Sequence, residues 1–209
     1  MTLKLVKFAA LSALIALSAS CGDVSRQGRS PAQIVVQRLT AASGAEPGEK
    51  GGTLQSDVII MLTDDPCSKE NPCPTIFNDV GEVELVLVLK DPGSPGSPTS
   101  PSALNAVTIN RYRVEYRRTD GRNVQGVDVP FDFDSGVTFT IPAGGLVTAG
   151  FQIVRHSAKE EAPLQALRFN GSIISTIATV TFYGQDQAGN EISAVGKIGI
   201  DFGDFADPE

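Results

Sequence analysis

Tryptophan is absent from this sequence, and histidine occurs once, at His156. A single histidine excludes multi-histidine metal centres and leaves most histidine-dependent hydrolase schemes without their base. No Gly-x-Ser-x-Gly segment is present, so the strained turn that exposes a nucleophilic serine has no candidate. The run Gly48-Glu49-Lys50-Gly51-Gly52 lacks the Gly-x-x-x-x-Gly-Lys-Ser/Thr spacing that aims backbone N–H groups at phosphates. Without tryptophan, and with Tyr112, Tyr116 and Tyr183 as the only tyrosines, stacking platforms for sugar rings are scarce. An excess of positive charge is also missing, since the chain carries a formal −7. Nucleic-acid binding needs clustered Lys and Arg against phosphates, and a polybasic membrane face needs the same. The sequence therefore predicts neither an enzyme nor a nucleic-acid partner.

Cysteine is scarce as well: Cys21, Cys67 and Cys73. An odd number in an exported protein leaves one thiol to be explained. Cys67 and Cys73 bound the short segment Cys67-Ser-Lys-Glu-Asn-Pro-Cys73, which a disulfide can close in an oxidising compartment. The alternative is a pair of metal ligands, which would need other partners to complete a four-ligand zinc site. The disulfide is the expected state.

Long apolar runs are confined to the start of the chain. Met1–Lys7 carries Lys4 and Lys7, and Phe8–Ala19 is apolar or small throughout. A bilayer needs roughly 20 such residues, so this run is too short to span and has the length of a signal-peptide core. It ends in Ala16-Leu17-Ser18-Ala19-Ser20, directly before Cys21. A basic start, an apolar core and small residues before a cysteine resemble a bacterial lipoprotein signal. The resemblance implies a signal peptide over residues 1–20 and a lipid on Cys21 as the first mature residue. It also implies a place in the bacterial cell envelope, with the outer membrane or cell surface favoured. Two acyl chains supply the stable anchoring that one does not. Removing residues 1–20 takes two lysines and no acid, so the −7 becomes −9, as suits an acidic soluble body. Residues 21–31 are polar and mixed, and read as a flexible tether.

The remainder, 32–209, is 178 residues of globular composition and reads as one domain of short strands. Ala32–Leu39 is β-branched, and Asp57–Thr63 is apolar. Gly81–Lys90 alternates cleanly, with Val83, Leu85, Leu87 and Leu89 on one face. Val86 and Val88 fall on its polar face, whose middle is expected to be partly covered. Residues 91–102 are rich in Pro, Gly and Ser and cannot enter a central strand, so they form an exposed loop. In Val107–Arg117, Val107 and Ile109 have the opposite parity to Tyr112, Val114 and Tyr116, which predicts a bulge near Asn110. Val127, Val129, Phe131 and Phe133 continue the alternation, as do Val137, Phe139 and Ile141, and Ala149–Arg155 adds a strand. Ser157–Leu167 alone has helical character, limited by Pro163 to a turn or two. Apolar strands ending at Phe182 and Phe202 flank the turn Gly184–Asn190 as a hairpin.

Tyr112-x-Val114-x-Tyr116 before Asp120-Gly121 resembles the central strand of fibronectin type III and related immunoglobulin-like domains. The last hairpin, with Asp186-x-x-Gly189-Asn190 at its turn, resembles the closing hairpin of bacterial immunoglobulin-like domains. The implied fold is all-β, an immunoglobulin-like antiparallel β-sandwich with long loops behind an N-terminal signal segment. Such sandwiches carry many unrelated roles, so the likeness assigns no function.

Calcium is the one cofactor left open. Hard cations require several oxygen ligands, and the candidates are Asp132, Asp134, Asp186 and Asn190, with Asp201, Asp204 and Asp207 near the end. None follows EF-hand spacing. Asp132 and Asp134 also fit the solvent face of a strand whose other face is Phe131 and Phe133. Asp186 and Asn190 also fit a turn. His156, at a strand end, reads as structural, and Asn170-Gly-Ser172 reads as a turn. The expectation is a lipid-anchored envelope protein with a non-catalytic sandwich that is structural or binds another envelope or surface protein. The alternative is a calcium- or ligand-binding adhesive module using loops at one sandwich end, Asp64–Cys73 and Gly184–Asn190 among them.

Overall fold

A computed structural model describes residues 28–205; residues 1–20, Cys21 and Asp207 lie outside them. In chain order the strands are β1 (Ala32–Ala42), β2 (Thr53–Asp57), β3 (Ile60–Leu62), β4 (Cys73–Thr75), β5 (Asp79–Leu89), β6 (Gly93–Ser94), β7 (Ser97–Pro98), β8 (Val107–Arg117), β9 (Phe133–Ile141), β10 (Leu146–Val154), β11 (Ile174–Asp186) and β12 (Glu191–Gly203). A single helical turn, α1 (His156–Lys159), and a 3-10 turn over Leu164–Leu167 follow β10.

Two sheets face each other across one core, as in a β-sandwich. The smaller has the order β1-β5-β10 and the larger β2-β12-β11-β8-β9. Every pairing in them is antiparallel except β12 with β2, which run parallel. Period-2 alternation produces the core: Val83, Leu85 and Leu87 of β5 face Val114, Tyr116, Val180 and Phe182 of β8 and β11, all buried. The register of β8 shifts between Ile109 and Arg111, so the bulge predicted at Asn110 turns Ile109 and Tyr112 to the same side.

Two tyrosines fasten the sheets together. The Tyr112 hydroxyl donates to the carbonyl of Gln152 at 3.0 Å, and that of Tyr116 to the carbonyl of Ile153 at 2.6 Å. The second bond answers an irregularity in β10. Its register with β5 slips between Gln152 and Val154, leaving Ile153 out of the ladder. Burial pushes the Tyr116 phenol up, so it stays a neutral donor.

Several expectations are corrected. Asp57–Thr63 is not one strand: the chain turns after β2, where the Asp57 carboxylate accepts the Ile59 N–H, and resumes as β3 paired with β4. Val127, Val129, Phe131 and Phe133 do not alternate in a strand. Residues 118–132 are a loop in which Val129 turns inward while Val127 and Phe131 are exposed. Nor is the whole of 21–31 a free tether. Pro31 accepts the Lys90 N–H, and Ser30 is buried, so residues 28–31 are fastened to the body. The 91–102 loop is exposed as predicted and holds the small hairpin β6–β7.

The register fixes which loops share an end. The chain enters at Ala32, beside Leu89, at the end that also carries the β11–β12 turn. Loops 43–52, 58–78 and 118–132 and the segment 155–173 lie at the other end, where β2 and β12 finish side by side at Asp57 and Gly203. Asp64–Cys73 and Gly184–Asn190 therefore sit at opposite ends, and the single loop cluster expected of them does not form.

Candidate functional site

The end opposite the chain entry is built on two polar anchors. The first is a buried ion pair. Lys159, the last residue of α1, and Asp79, the first of β5, are both wholly withdrawn from solvent. Lys159 Nζ donates to Asp79 Oδ1 at 2.8 Å and to the Asp57 carbonyl at 2.7 Å. Asp79 also accepts the Gly44 N–H at 3.0 Å and the Ser56 hydroxyl at 2.6 Å. Burial pushes the Asp79 carboxyl up, and Lys159, Ser56 and Gly44 pull against it. Lys159 thus ties segment 155–173 to β2 and β5, and Asp79 holds the 43–52 loop to the same pair. Arg168 closes the same segment by donating to the Lys159 carbonyl at 2.8 Å.

The second anchor is Asp132. Its side chain is only 4% exposed and lies within 3.6 Å of Arg113 and 3.4 Å of Arg117. It accepts the Tyr116 N–H at 3.2 Å and the Gln125 amide at 2.5 Å, which fixes the 118–132 loop to the end of β8. Asp134, more exposed, pairs with Arg111 at 2.6 Å and Arg113 at 2.7 Å. The structure thus brings two of the calcium candidates together, but among three guanidinium groups that supply their counter-charge. Contrary to the strand-face expectation, Asp132 is shielded from solvent, because the loop before β9 folds over it, and Phe131 turns outward instead.

Asp186 and Asn190 meet at the other end of the molecule. Asp186 accepts the Ala188 and Asn190 N–H groups at 2.9 Å each and the Asn190 amide at 2.8 Å, closing the β11–β12 turn. Burial pushes its carboxyl up, but the bonds from Asn190, Ser30 and Ala188 outweigh this and leave it below the usual value. Asp204 accepts the Phe169 N–H at 2.5 Å, and Asp201 lines an open groove. Among the described residues no three His, Cys, Asp or Glu side chains gather as a metal-binding group. Cys67 and Cys73 are joined in a disulfide, with Cα atoms 5.7 Å apart. His156 is exposed and bonded to Asn78 through its backbone N–H at 2.8 Å and its ring Nδ1 at 3.1 Å.

Between the two anchored segments lies a cavity of about 290 Å³, lined by Pro130 and Phe131 on one side and Arg155, Ser157, Ala158 and Glu161 on the other. Arg155 lies over the core, its Cζ 4.4 Å from the centre of the Phe133 ring. Around this end Val124, Val127, Phe131, Phe169 and Ile173 expose apolar side chains. Phe169 does so from a left-handed backbone conformation, φ 59°, unusual for a bulky residue. The larger groove, about 610 Å³, runs along loop 43–52 with Glu46, Glu49 and Asp201, and its Lys50 is engaged by Glu82 at 2.5 Å.

Sequence reasoning missed Lys159, Asp79 and Arg155. Each is a charged residue in an ordinary polar context, and no local pattern marks it as buried or as facing a cavity. No protein-family model matches the chain, and comparison with curated proteins finds no match.

Proposed function

We propose that the chain is a lipid-anchored protein of the bacterial cell envelope. Its sandwich is of immunoglobulin-like type, non-catalytic, and binds another envelope or surface protein through the loops farthest from its anchor. The observation that carries this reading is the placement of the ends. The chain enters at Ala32, beside β5 and at the end of the β11–β12 turn, while Val124, Val127 and Phe131 on one loop and Phe169 and Ile173 on another are exposed at the opposite end. Exposed apolar side chains on loops that a rigid sandwich holds in place are suited to contact with another protein.

Strand order supports the immunoglobulin-like type. Lettered in chain order, β1, β5 and β10 take the places of A, B and E, and β8, β11 and β12 those of C, F and G. In this scheme β9 is an added strand beside C, and β2 continues A across to pair with G. Tyr112 and Tyr116 lie on the C strand, where their alternating pattern resembles that of fibronectin type III domains.

The test is cross-linking in native membranes, with a photoreactive residue placed at Phe131 or at Leu104, which is exposed at the entry end. One stoichiometric protein adduct from position 131 and none from 104 is the expected result. Equal labelling from both, or from neither, overturns the binding-end reading.

A further inference from the structure

We propose that the cavity beside Arg155 binds a single carboxylate carried next to an apolar group, whether on a free amino acid or at the end of a peptide. This deepens the binding-end reading and rests on it. A guanidinium offers five donors and stays charged at any ordinary pH. Arg38, Arg111, Arg113, Arg117, Arg118 and Arg122 each meet a carboxylate. The Arg155 side chain has no ion pair or hydrogen bond among the described residues, and its Nε, like that of Arg168, is buried without a partner, whereas Arg168 donates from its Nη2 to the Lys159 carbonyl. Its contact is the face of Phe133, which holds the cation in place but supplies no negative charge. A partly desolvated cation with no carboxylate in ion-pair contact among the described residues gains from an anion entering the adjoining cavity.

The lining selects the kind of anion. Among the described residues Arg155 is the only cation lining it, and Glu161 adds a negative charge, so a phosphate dianion would be under-neutralised and repelled. A carboxylate carries one charge and matches the planar guanidinium fork. Pro130, Phe131 and Ala158 supply apolar wall, and Ser157 a hydroxyl donor. The volume, about 290 Å³, suits one small side chain with its carboxylate rather than an extended ligand.

The experiment titrates the processed full chain with N-acetyl-leucine, free leucine, N-acetyl-leucinamide and inorganic phosphate, following the backbone amide resonances of Phe131, Ser157 and Ala158. Saturable shifts with N-acetyl-leucine alone identify a peptide end as the source, and shifts with free leucine as well extend it to amino acids. The amide and phosphate are expected to give none. Arg155→Gln is expected to weaken binding by about tenfold or more, the loss of one charge-assisted contact. Glu161→Gln, on an exposed position, is expected to tighten it and serves if the arginine variant fails to fold. Absence of saturation with both acids, equal binding of the amide, or an unchanged affinity in Glu161→Gln overturns the proposal. Cross-linking from position 131 is read separately, so protein binding can stand if carboxylate binding fails.

Discussion

Lys159 and Asp79 illustrate how much one residue decides here. Two opposite charges are taken fully out of water, and each is then satisfied by the other and by neighbouring oxygens and N–H groups. Breaking such a pair from one side strands a buried charge at a cost of about 3–5 kcal/mol. Lys159→Ala is therefore expected to lose that much in denaturant unfolding, and Lys159→Met combined with Asp79→Asn distinctly less. A double variant as unstable as Lys159→Ala contradicts this account. Asp57, next to the pair, titrates in the opposite sense to an ordinary ion-paired carboxylate. Burial, helped by Asp204 and opposed by the Ile59 and Phe205 N–H groups and Lys159, pushes its carboxyl from 3.8 up to about 6. The folded state then holds a proton that the unfolded state has released, so the stability Asp57 contributes falls as pH rises from about 4 to about 6 and levels off above. Melting curves of the protein and of Asp57→Asn across that window should differ in slope, the variant having lost this part of the decline. Parallel slopes remove Asp57 from the explanation.

At the scale of elements, β5 is the central strand of its sheet, and its packing tolerates little. Gly81 lies where a Cβ would come within 2.4 Å of the Phe151 ring. That ring is wedged between Tyr112 and Phe182, each 5.2 Å away centre to centre, so it has little room to yield. Gly81→Ala should cost about 1–3 kcal/mol by overpacking, measured by denaturant unfolding at constant m. An unchanged midpoint would mean that Phe151 moves freely. The elements legible in the sequence are those that alternate: β5, the β11–β12 hairpin, and β8 with its bulge, because a strand's inward set is a local property with period 2. The disulfide is legible for a similar reason, since both cysteines lie on one short segment. By contrast, Val127 and Phe131 alternate correctly and still point outward, because Asp132 binds Tyr116 and Gln125 and folds the loop away from the sheet.

For the whole molecule, the two ends have different tasks in the proposed function. The entry end holds Ser30, Pro31 and Lys90 against the body, so an anchor on Cys21 would place that end near the membrane and direct the cavity and apolar loops away from it. Expression with the native leader should yield a mass lacking residues 1–20 and carrying a diacylglyceryl group, and Cys21→Ser should move the protein out of the membrane fraction. A mature mass without lipid ends the anchoring proposal and leaves the binding end to be judged by cross-linking.

The sequence by itself determined the all-β class, the inward faces of the clearly alternating strands, the bulge at Asn110 and the disulfide. These follow from chain stereochemistry and from residues close together in sequence. Only the tertiary structure decided what depends on distant partners. It paired β2 in parallel with β12, set Asp64–Cys73 and Gly184–Asn190 at opposite ends, and surrounded Asp132 and Asp134 with arginines. It also buried Lys159 against Asp79, 80 residues earlier in the chain. Burial of a charge is a property of what folds over it, and no pattern around Lys159 or Arg155 encodes that cover.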